Sequence, residues 1–165
     1  MARVPRESRT ATGARMRTPD VLLRVARHEA AHSIGYQVLC AGVEFCDIQD
    51  DGEFDGWTQE NPCAVRLLLP AAICLMAGCA SQQVFYGETL PYAMRNCGRD
   101  FKQMFELAEA HLPEPERKKF YHDARSAAHS FVRQYRQQIE TLAQELLTHG
   151  RVEGSRVREI IERAR

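Results

Sequence analysis

The sequence lacks an excess of charge of either sign, because 22 basic residues balance 22 acidic residues. Without an overall basic field we expect no nucleic-acid partner, and no acidic field favours a basic partner. The sequence also lacks a hydrophobic run of the roughly 20 residues that a membrane span needs. Its most apolar run, residues 67–80, is shorter and contains Pro70. We therefore expect no transmembrane helix.

Metal-ligand spacing is absent among the cysteines, and no apolar segment typical of a secretory signal precedes them. Structural disulfides occur mainly in proteins of oxidising compartments. We therefore predict reduced, mostly buried thiols and a cytoplasmic protein. The six cysteines are Cys40, Cys46, Cys63, Cys74, Cys79 and Cys97.

Apolar residues are scarce in residues 1–17, which contain five arginines and one glutamate. Such a segment cannot bury enough surface to offset the entropy lost on ordering, so we predict a disordered basic tail. Its arginine-rich, acid-poor composition also leaves an organelle-targeting segment open. The remaining residues, 18–165, suffice for one domain.

Periodic apolar positions predict that this domain is mainly α, with one small β ribbon. Thr18 and Pro19 are typical of a helix start, and the helix should run to about Leu39. Steps of four and three residues place one set of side chains on its core-facing stripe. That stripe consists of Val21, Val25, His28, His32, Gly35 and Leu39.

Further along the chain, alternating apolar residues around an Asp-Gly turn predict the ribbon within residues 43–58. Asn61 and Pro62 are typical of a second helix start, which opens the central buried helix. A third helix should begin just after Asp100. The remaining predicted helices are a long amphipathic segment over residues 116–149 and a short helix after Gly154.

The sequence His28-Glu29-Ala30-Ala31-His32 is an HExxH motif on the first predicted helix. Residues four apart on a helix project side by side, so two imidazoles can bind one ion. A Zn²⁺ held by two histidines and a third ligand keeps one position open for water, whose pKa it lowers to about 7. Glu29 could then accept the proton of that water as a general base. The alternative is a pair of hydrogen-bonded core histidines beside a surface glutamate.

The third ligand is not determined by spacing. Gly35 matches the glycine of the longer HExxHxxGxxH pattern, but Val38 occupies its final histidine position and cannot bind zinc. That class of zinc peptidase is therefore excluded. Several later side chains remain candidates, and most residues of these types are solvated at the surface. They are Glu44, Asp47, Asp100, His111, His122 and His129.

Four stretches of the sequence resemble the peptidase domain of the FtsH family, the membrane-bound AAA metalloproteases. They are the HExxH motif, residues 76–87 (MAGCASQQVFYG), residues 96–108 and residues 142–161. The resemblance implies that Asp100, in a segment similar to the Gly-x-x-Asn-Asp type, completes a site with His28 and His32. It further implies that residues 52–58 pair with extended polypeptide substrate.

Two departures from the family pattern bear on function. Ser81-Gln82-Gln83 stands where the family has Ala-Glu-Glu, so an acidic contact near the metal site is missing. No Gly-x-x-x-x-Gly-Lys-Ser/Thr loop occurs in this sequence, so we expect cleavage without ATP. The sequence leaves open a homo-oligomer, a separate ATPase partner, and a second interpretation as a catalytically decayed binding or regulatory module.

Overall fold

A computed structural model of the chain describes residues 18–49, 56–61 and 67–163. The predicted tail, residues 1–17, lies outside the described residues. The described part contains seven helices and three short strands, which confirms a mainly α fold with a small β ribbon. In chain order they are α1 (Pro19–Leu39), β1 (Val43–Asp47), β2 (Trp57–Glu60), α2 (Leu68–Tyr86), α3 (Leu90–Asn96), α4 (Gly98–His111), α5 (Glu114–Gln134), α6 (Arg136–His149), β3 (Arg151–Glu153) and α7 (Gly154–Arg163).

Helices α1 and α2 pack against each other and form the centre of the domain. The side chain of Thr18 caps α1 by accepting a hydrogen bond from the Val21 amide at 3.4 Å. The two helices approach closely at Gly35, where an added Cβ would lie 3.4 Å from Cys74. Helix α5 covers α2, and α6 covers α1. The predicted central helix is therefore confirmed as α2, but it begins at Leu68, with Pro70 in its first turn, and not at the Asn61-Pro62 start that was predicted.

The three strands form one antiparallel sheet in the order β2-β1-β3. Cys46 in β1 is opposite both Thr58 in β2 and Val152 in β3. Strand β2 therefore lies at one edge of the sheet, and β3, close to the end of the described chain, lies at the other. The sequence predicted the β1-β2 ribbon and missed β3, because a three-residue strand carries almost no periodic signal.

The structure corrects other local expectations. Residues 116–149 are two helices, since α5 ends at Gln134 and α6 begins at Arg136. No helix was predicted between the central helix and Asp100, yet α3 spans Leu90–Asn96 there. Val21 is 43% exposed, so the core-facing stripe of α1 begins further along the helix than predicted.

Helix α2 is long and apolar enough to cross a membrane, judged by its length and composition. Half of its most apolar window is buried inside the domain, and a core helix has the same properties. The expectation of no membrane span therefore stays a prediction. Of the five described cysteines four are buried and Cys40 is partly buried, which agrees with the prediction that most are buried; Cys63 lies outside the described residues.

Candidate metal centre

The two imidazoles of the HExxH motif lie where α1 crosses α2, because Gly78 leaves room for them. A Cβ added at Gly78 would lie 2.6 Å from His28 Nε2 and would also overlap His32. His32 is buried, and the side chain of His28 is 17% exposed. The small residue on α2 thus allows both rings to occupy the helix interface. The resemblance included this glycine, but the sequence alone gave it no role.

Helix α4 brings Asp100 to the same point. Asp100 Oδ2 lies 3.2 Å from His28 Nε2 and 3.4 Å from His32 Nε2, and the two imidazole nitrogens are 3.0 Å apart. Ligands of a tetrahedral zinc, at about 2.0–2.2 Å from the ion, are roughly 3.3–3.6 Å from one another. The three atoms therefore have close to the spacing that one small metal ion requires.

Asp100 Oδ2 is buried and has no hydrogen-bond partner among the described residues. A buried carboxylate oxygen without a hydrogen bond is costly, and a cation between it and the two neighbouring imidazole nitrogens would remove that cost. This orphaned atom is the strongest sign that the group fits a metal ion. Among the six candidates for the third ligand, Asp100 forms ion pairs with both imidazoles in the described part of the chain. Its role as a ligand stays a prediction.

The ring orientation of His32 favours metal binding through Nε2. Its Nδ1 lies 2.7 Å from the carbonyl oxygen of Cys74. A carbonyl can only accept, so Nδ1 carries the proton and donates it. This tautomer leaves the lone pair of Nε2 directed at Asp100, which is the arrangement by which neighbouring carbonyls orient metal-binding histidines.

Cys97 also lies beside this group, and sequence reasoning did not single it out. Its Sγ is 3.9 Å from His28 Nδ1, and His28, Cys97 and Asp100 form a group that could hold a metal ion. The pKa of the Cys97 thiol is raised, mainly by a hydrogen bond with Cys79 and secondly by burial. A raised pKa disfavours the thiolate that would bind a metal. The shorter spacing of the three Nε2 and Oδ2 atoms favours His32 as the third member, with Cys97 beside Nδ1 of His28.

Without a metal, a proton takes its place between these groups. Burial alone would lower the pKa of His32, but the Asp100 carboxylate outweighs burial and raises this pKa to about 9. Burial would raise the pKa of Asp100, yet the two imidazoles hold it below its usual range. The raised pKa of His32 and the lowered pKa of Asp100 both result from the attraction between the imidazoles and the carboxylate. The pocket therefore attracts positive charge.

Glu29 points into the cleft next to the imidazoles and is held by the edge strand. Thr58 Oγ1 donates to Glu29 Oε2 at 2.9 Å, and Ser33 Oγ lies 3.1 Å from the same hydroxyl. Gly56 leaves space for the carboxylate, since an added Cβ would lie 2.6 Å from Glu29 Cγ. Strand β2 thus fixes Glu29 in place.

The cleft beside these residues has a volume of about 270 Å³ and lies between β2 and α4. Trp57, Leu75 and Tyr36 provide apolar wall, and Arg99 packs over the Trp57 ring at 5.3 Å. Glu29, His32 and Asp100 line the same cleft. A water molecule or a peptide group entering it would meet the carboxylate and the candidate metal ligands together.

Gln82 and Gln83, which stand where the FtsH family that the sequence resembles has glutamates, have partners away from the metal centre. The Gln82 amide donates to the Arg24 carbonyl at 3.4 Å, and Gln83 Oε1 lies 2.7 Å from His129 Nε2. The Gln83 oxygen can only accept, so His129 Nε2 donates to it. Burial and neighbouring arginines lower the pKa of His129. His129, one of the six ligand candidates, is thus engaged in packing α5 against α2.

Comparison of the chain with protein-family models and with curated proteins finds no match to either. The group of side chains described above therefore carries the functional argument.

Proposed function

We propose that the chain is a zinc-dependent endopeptidase similar to the peptidase domain of the FtsH family, which cleaves flexible polypeptides without ATP. One observation carries the proposal. His28 Nε2, His32 Nε2 and the orphaned Asp100 Oδ2 converge within 3.0–3.4 Å of one another, in the cleft that the Glu29 carboxylate also lines. Two imidazoles and the Asp100 carboxylate form the donor set of a zinc hydrolase. The Glu29 carboxylate is placed to act as its general base.

The donor set favours zinc over calcium or magnesium, because those ions prefer six or more oxygen ligands. Held by His28, His32 and Asp100, zinc would supply a Lewis acid that activates water near neutral pH. Three protein ligands would leave a fourth coordination position for water. This open position distinguishes catalytic from structural zinc sites.

Glu29 is the residue that moves the proton. Its Oε2 accepts a hydrogen bond from Thr58, so Oε1 is the oxygen that takes a proton from the attacking water. The same oxygen then returns the proton to the amide nitrogen that leaves. Burial of Glu29 excludes bulk water from this transfer, and the Thr58 contact keeps the carboxylate from turning away.

The position of β2 suits an extended polypeptide substrate. Within the described residues β2 pairs with β1 alone, so its other edge can form backbone hydrogen bonds with a bound strand. Gly56, Trp57 and Thr58 belong to the segment that resembles the family's substrate-binding strand, whose residues 52–55 lie outside the described part. Backbone pairing of this kind tolerates many substrate sequences.

A decayed binding or regulatory module is the second candidate, and Ser81-Gln82-Gln83 favours it. The glutamine amides bring no negative charge to the interface, and lost outer partners typically reduce metal affinity or activity about 10- to 100-fold. Such a module would keep the fold and a bound ion while cleaving nothing. The two candidates therefore differ in one measurable property, hydrolysis.

The deciding experiment combines metal analysis with a cleavage assay on an unfolded, casein-like polypeptide. The purified protein should contain about one zinc per chain and cleave the substrate. Asp100→Ala should lose the zinc, because it removes one of three ligands. Full zinc retention in that variant would assign the third position elsewhere, with Cys97 next to be tested.

Glu29→Gln is the matched variant for chemistry, since Glu29 forms no bond to the metal in this proposal. It should keep zinc and lose cleavage. Cleavage by this variant at the parent rate would exclude Glu29 as the base. Zinc binding with no cleavage by the parent on any unfolded substrate would favour the regulatory module, and absence of zinc affinity would exclude the peptidase.

A further inference from the structure

A second cavity, of about 530 Å³, lies where the junction of α5 and α6 meets α1 and the end of α2. The HExxH histidines do not line it, so it is separate from the candidate metal centre. Its lining is rich in arginine. The residues that matter for its chemistry are Arg27, Phe85, Arg133, Arg136, Gln137 and Glu140.

One of the three arginines in this cavity is already neutralised. Arg27 forms a two-pronged ion pair with Glu140, through Nε to Oε2 at 2.7 Å and Nη2 to Oε1 at 2.9 Å. Its Nη1 also donates to Tyr86 Oη at 2.9 Å. Arg27 is therefore fixed in position, with its charge balanced.

The other two arginines leave the cavity with a net charge of +2. Over residues 18–49, 56–61 and 67–163, neither Arg133 nor Arg136 forms an ion pair with an acidic side chain. Both are exposed, so a ligand can reach them from solvent. Helix α5 ends and α6 begins here, so the opposite partial charges of the two helix ends largely cancel. The positive potential thus comes from the guanidinium groups.

Phe85 holds two of these cations close together. The guanidinium carbon of Arg27 lies 4.7 Å from the ring centroid, and that of Arg136 lies 5.0 Å from it. Cation–π contacts orient the groups, but they do not remove the repulsion between like charges. Glu140 balances one charge, and an anion in the cavity would balance the rest.

We infer that this cavity binds a small, doubly charged oxyanion, a phosphate or a dicarboxylate, through Arg133 and Arg136. The planar guanidinium fork matches both kinds of oxyanion, and two such groups provide enough donors for one dianion. The Gln137 amide adds a neutral donor at the rim. Phe85 would pack against the uncharged part of a larger ligand. The inference does not depend on peptidase activity.

The test is a calorimetric titration of the full chain, freed of metal by chelation, with inorganic phosphate at constant ionic strength. A parallel titration with succinate distinguishes phosphate from carboxylate as the source of the oxyanion. Saturable binding of one anion per chain is expected. Arg133→Gln and Arg136→Gln should each weaken it about tenfold or more, since each removes a charged donor pair.

Arg158→Gln is the matched control, because Arg158 is exposed on α7 and lies outside the cavity, yet its loss changes net charge equally. It should leave the affinity unchanged. His28→Ala, which alters the metal centre, should also leave it unchanged. If Arg158→Gln weakened anion binding as much as the cavity variants do, the attraction would be nonspecific and the inference would fail. The inference would also be overturned if neither anion bound, or if binding were unchanged in both Arg133→Gln and Arg136→Gln.

Discussion

At the scale of single residues, the candidate metal centre requires a glycine at position 78, because only glycine leaves space for its two histidine rings. The two imidazoles occupy space on α2 that any side chain at position 78 would fill. Gly35, on the same helix interface, has ordinary contact distance to its neighbour instead. The two glycines therefore allow a matched comparison.

We predict that Gly78→Ala abolishes stoichiometric zinc binding, because the added methyl group displaces both rings from Asp100. Gly35→Ala should keep the zinc, since its Cβ would lie 3.4 Å from Cys74. Metal content after purification and gel filtration measures both. If Gly78→Ala retained one tightly bound zinc, the ligand set would have to lie away from the α1–α2 interface.

Thr58 acts as a positioning residue for Glu29 and should contribute to rate without contributing to metal affinity. Thr58→Val keeps the shape of the side chain and removes the hydroxyl that Glu29 Oε2 accepts from. We expect kcat to fall about 10- to 100-fold with zinc content unchanged. Thr58→Ser should restore most of the rate. Equal kcat in Thr58→Val and the parent would show that Glu29 needs no such support.

At the scale of elements, the junction of β3 with α7 connects the sheet to the last helix. A Cβ at Gly154 would overlap the carbonyl oxygen of Val43 and lie 2.8 Å from its carbonyl carbon. Backbone cannot move aside as a flexible side chain can. The close approach of α7 to β1 therefore requires glycine.

We predict that Gly154→Ala lowers the free energy of unfolding by about 1–3 kcal/mol, as expected for overpacking. Gly98→Ala is the control, because nothing lies within 4 Å of its added Cβ. That change should stay within about 0.5 kcal/mol of the parent. Denaturant unfolding curves measure both, and equal curves for all three proteins would contradict the packing at this junction.

The sequence predicted the elements whose patterns are long and local. Thr18 and Pro19 marked the start of α1, and the i, i+4 spacing put His28 and His32 together. Capping signals and helical spacing could not reveal the roles of Gly78 and Cys97 or the existence of β3. Their importance depends on which elements meet in space, and neither periodicity nor capping signals report that. Asp100 came from a resemblance, since spacing alone left six candidates.

At the scale of the whole molecule, stability should depend on pH in opposite ways with and without zinc. The folded metal-free protein binds a proton at His32 more tightly than the unfolded chain, because this pKa is raised to about 9 from 6.5. The resulting stabilisation is complete below about pH 6.5 and is lost as the pH rises through 9. Zinc competes with that proton, so stabilisation by zinc should increase over the same range.

Denaturant midpoints at pH 6 and pH 9, with chelator and with zinc, test this linkage. Asp100→Asn removes the carboxylate that raises the pKa of His32, so its metal-free midpoint should change less between the two pH values. A metal-free parent whose midpoint changes no more than that of Asp100→Asn would contradict the coupling between His32 and Asp100.

The proposed peptidase should select substrates whose polypeptide segments are already unfolded. Because this sequence contains no nucleotide-binding loop, cleavage by the proposed peptidase would rely on spontaneous opening of the substrate, which for a stable domain costs up to about 5–15 kcal/mol. A destabilised mutant substrate should therefore be cut much faster than its stable parent, with ATP irrelevant to both. Equal rates on the two forms would contradict passive cleavage, and ATP stimulation that requires a second protein would reveal a separate ATPase partner.

For the proposed peptidase, the order β2-β1-β3 would also determine when the site is complete during synthesis of the chain. The β1-β2 hairpin that holds Glu29 through Thr58 is completed early in translation, but an isolated two-stranded hairpin is only marginally stable. Its third strand, Arg151–Glu153, is among the last described segments to leave the ribosome. A nascent chain shorter than this should hold Glu29 loosely, so a protease that cuts flexible chains would stay inactive while its own chain is still unfolded.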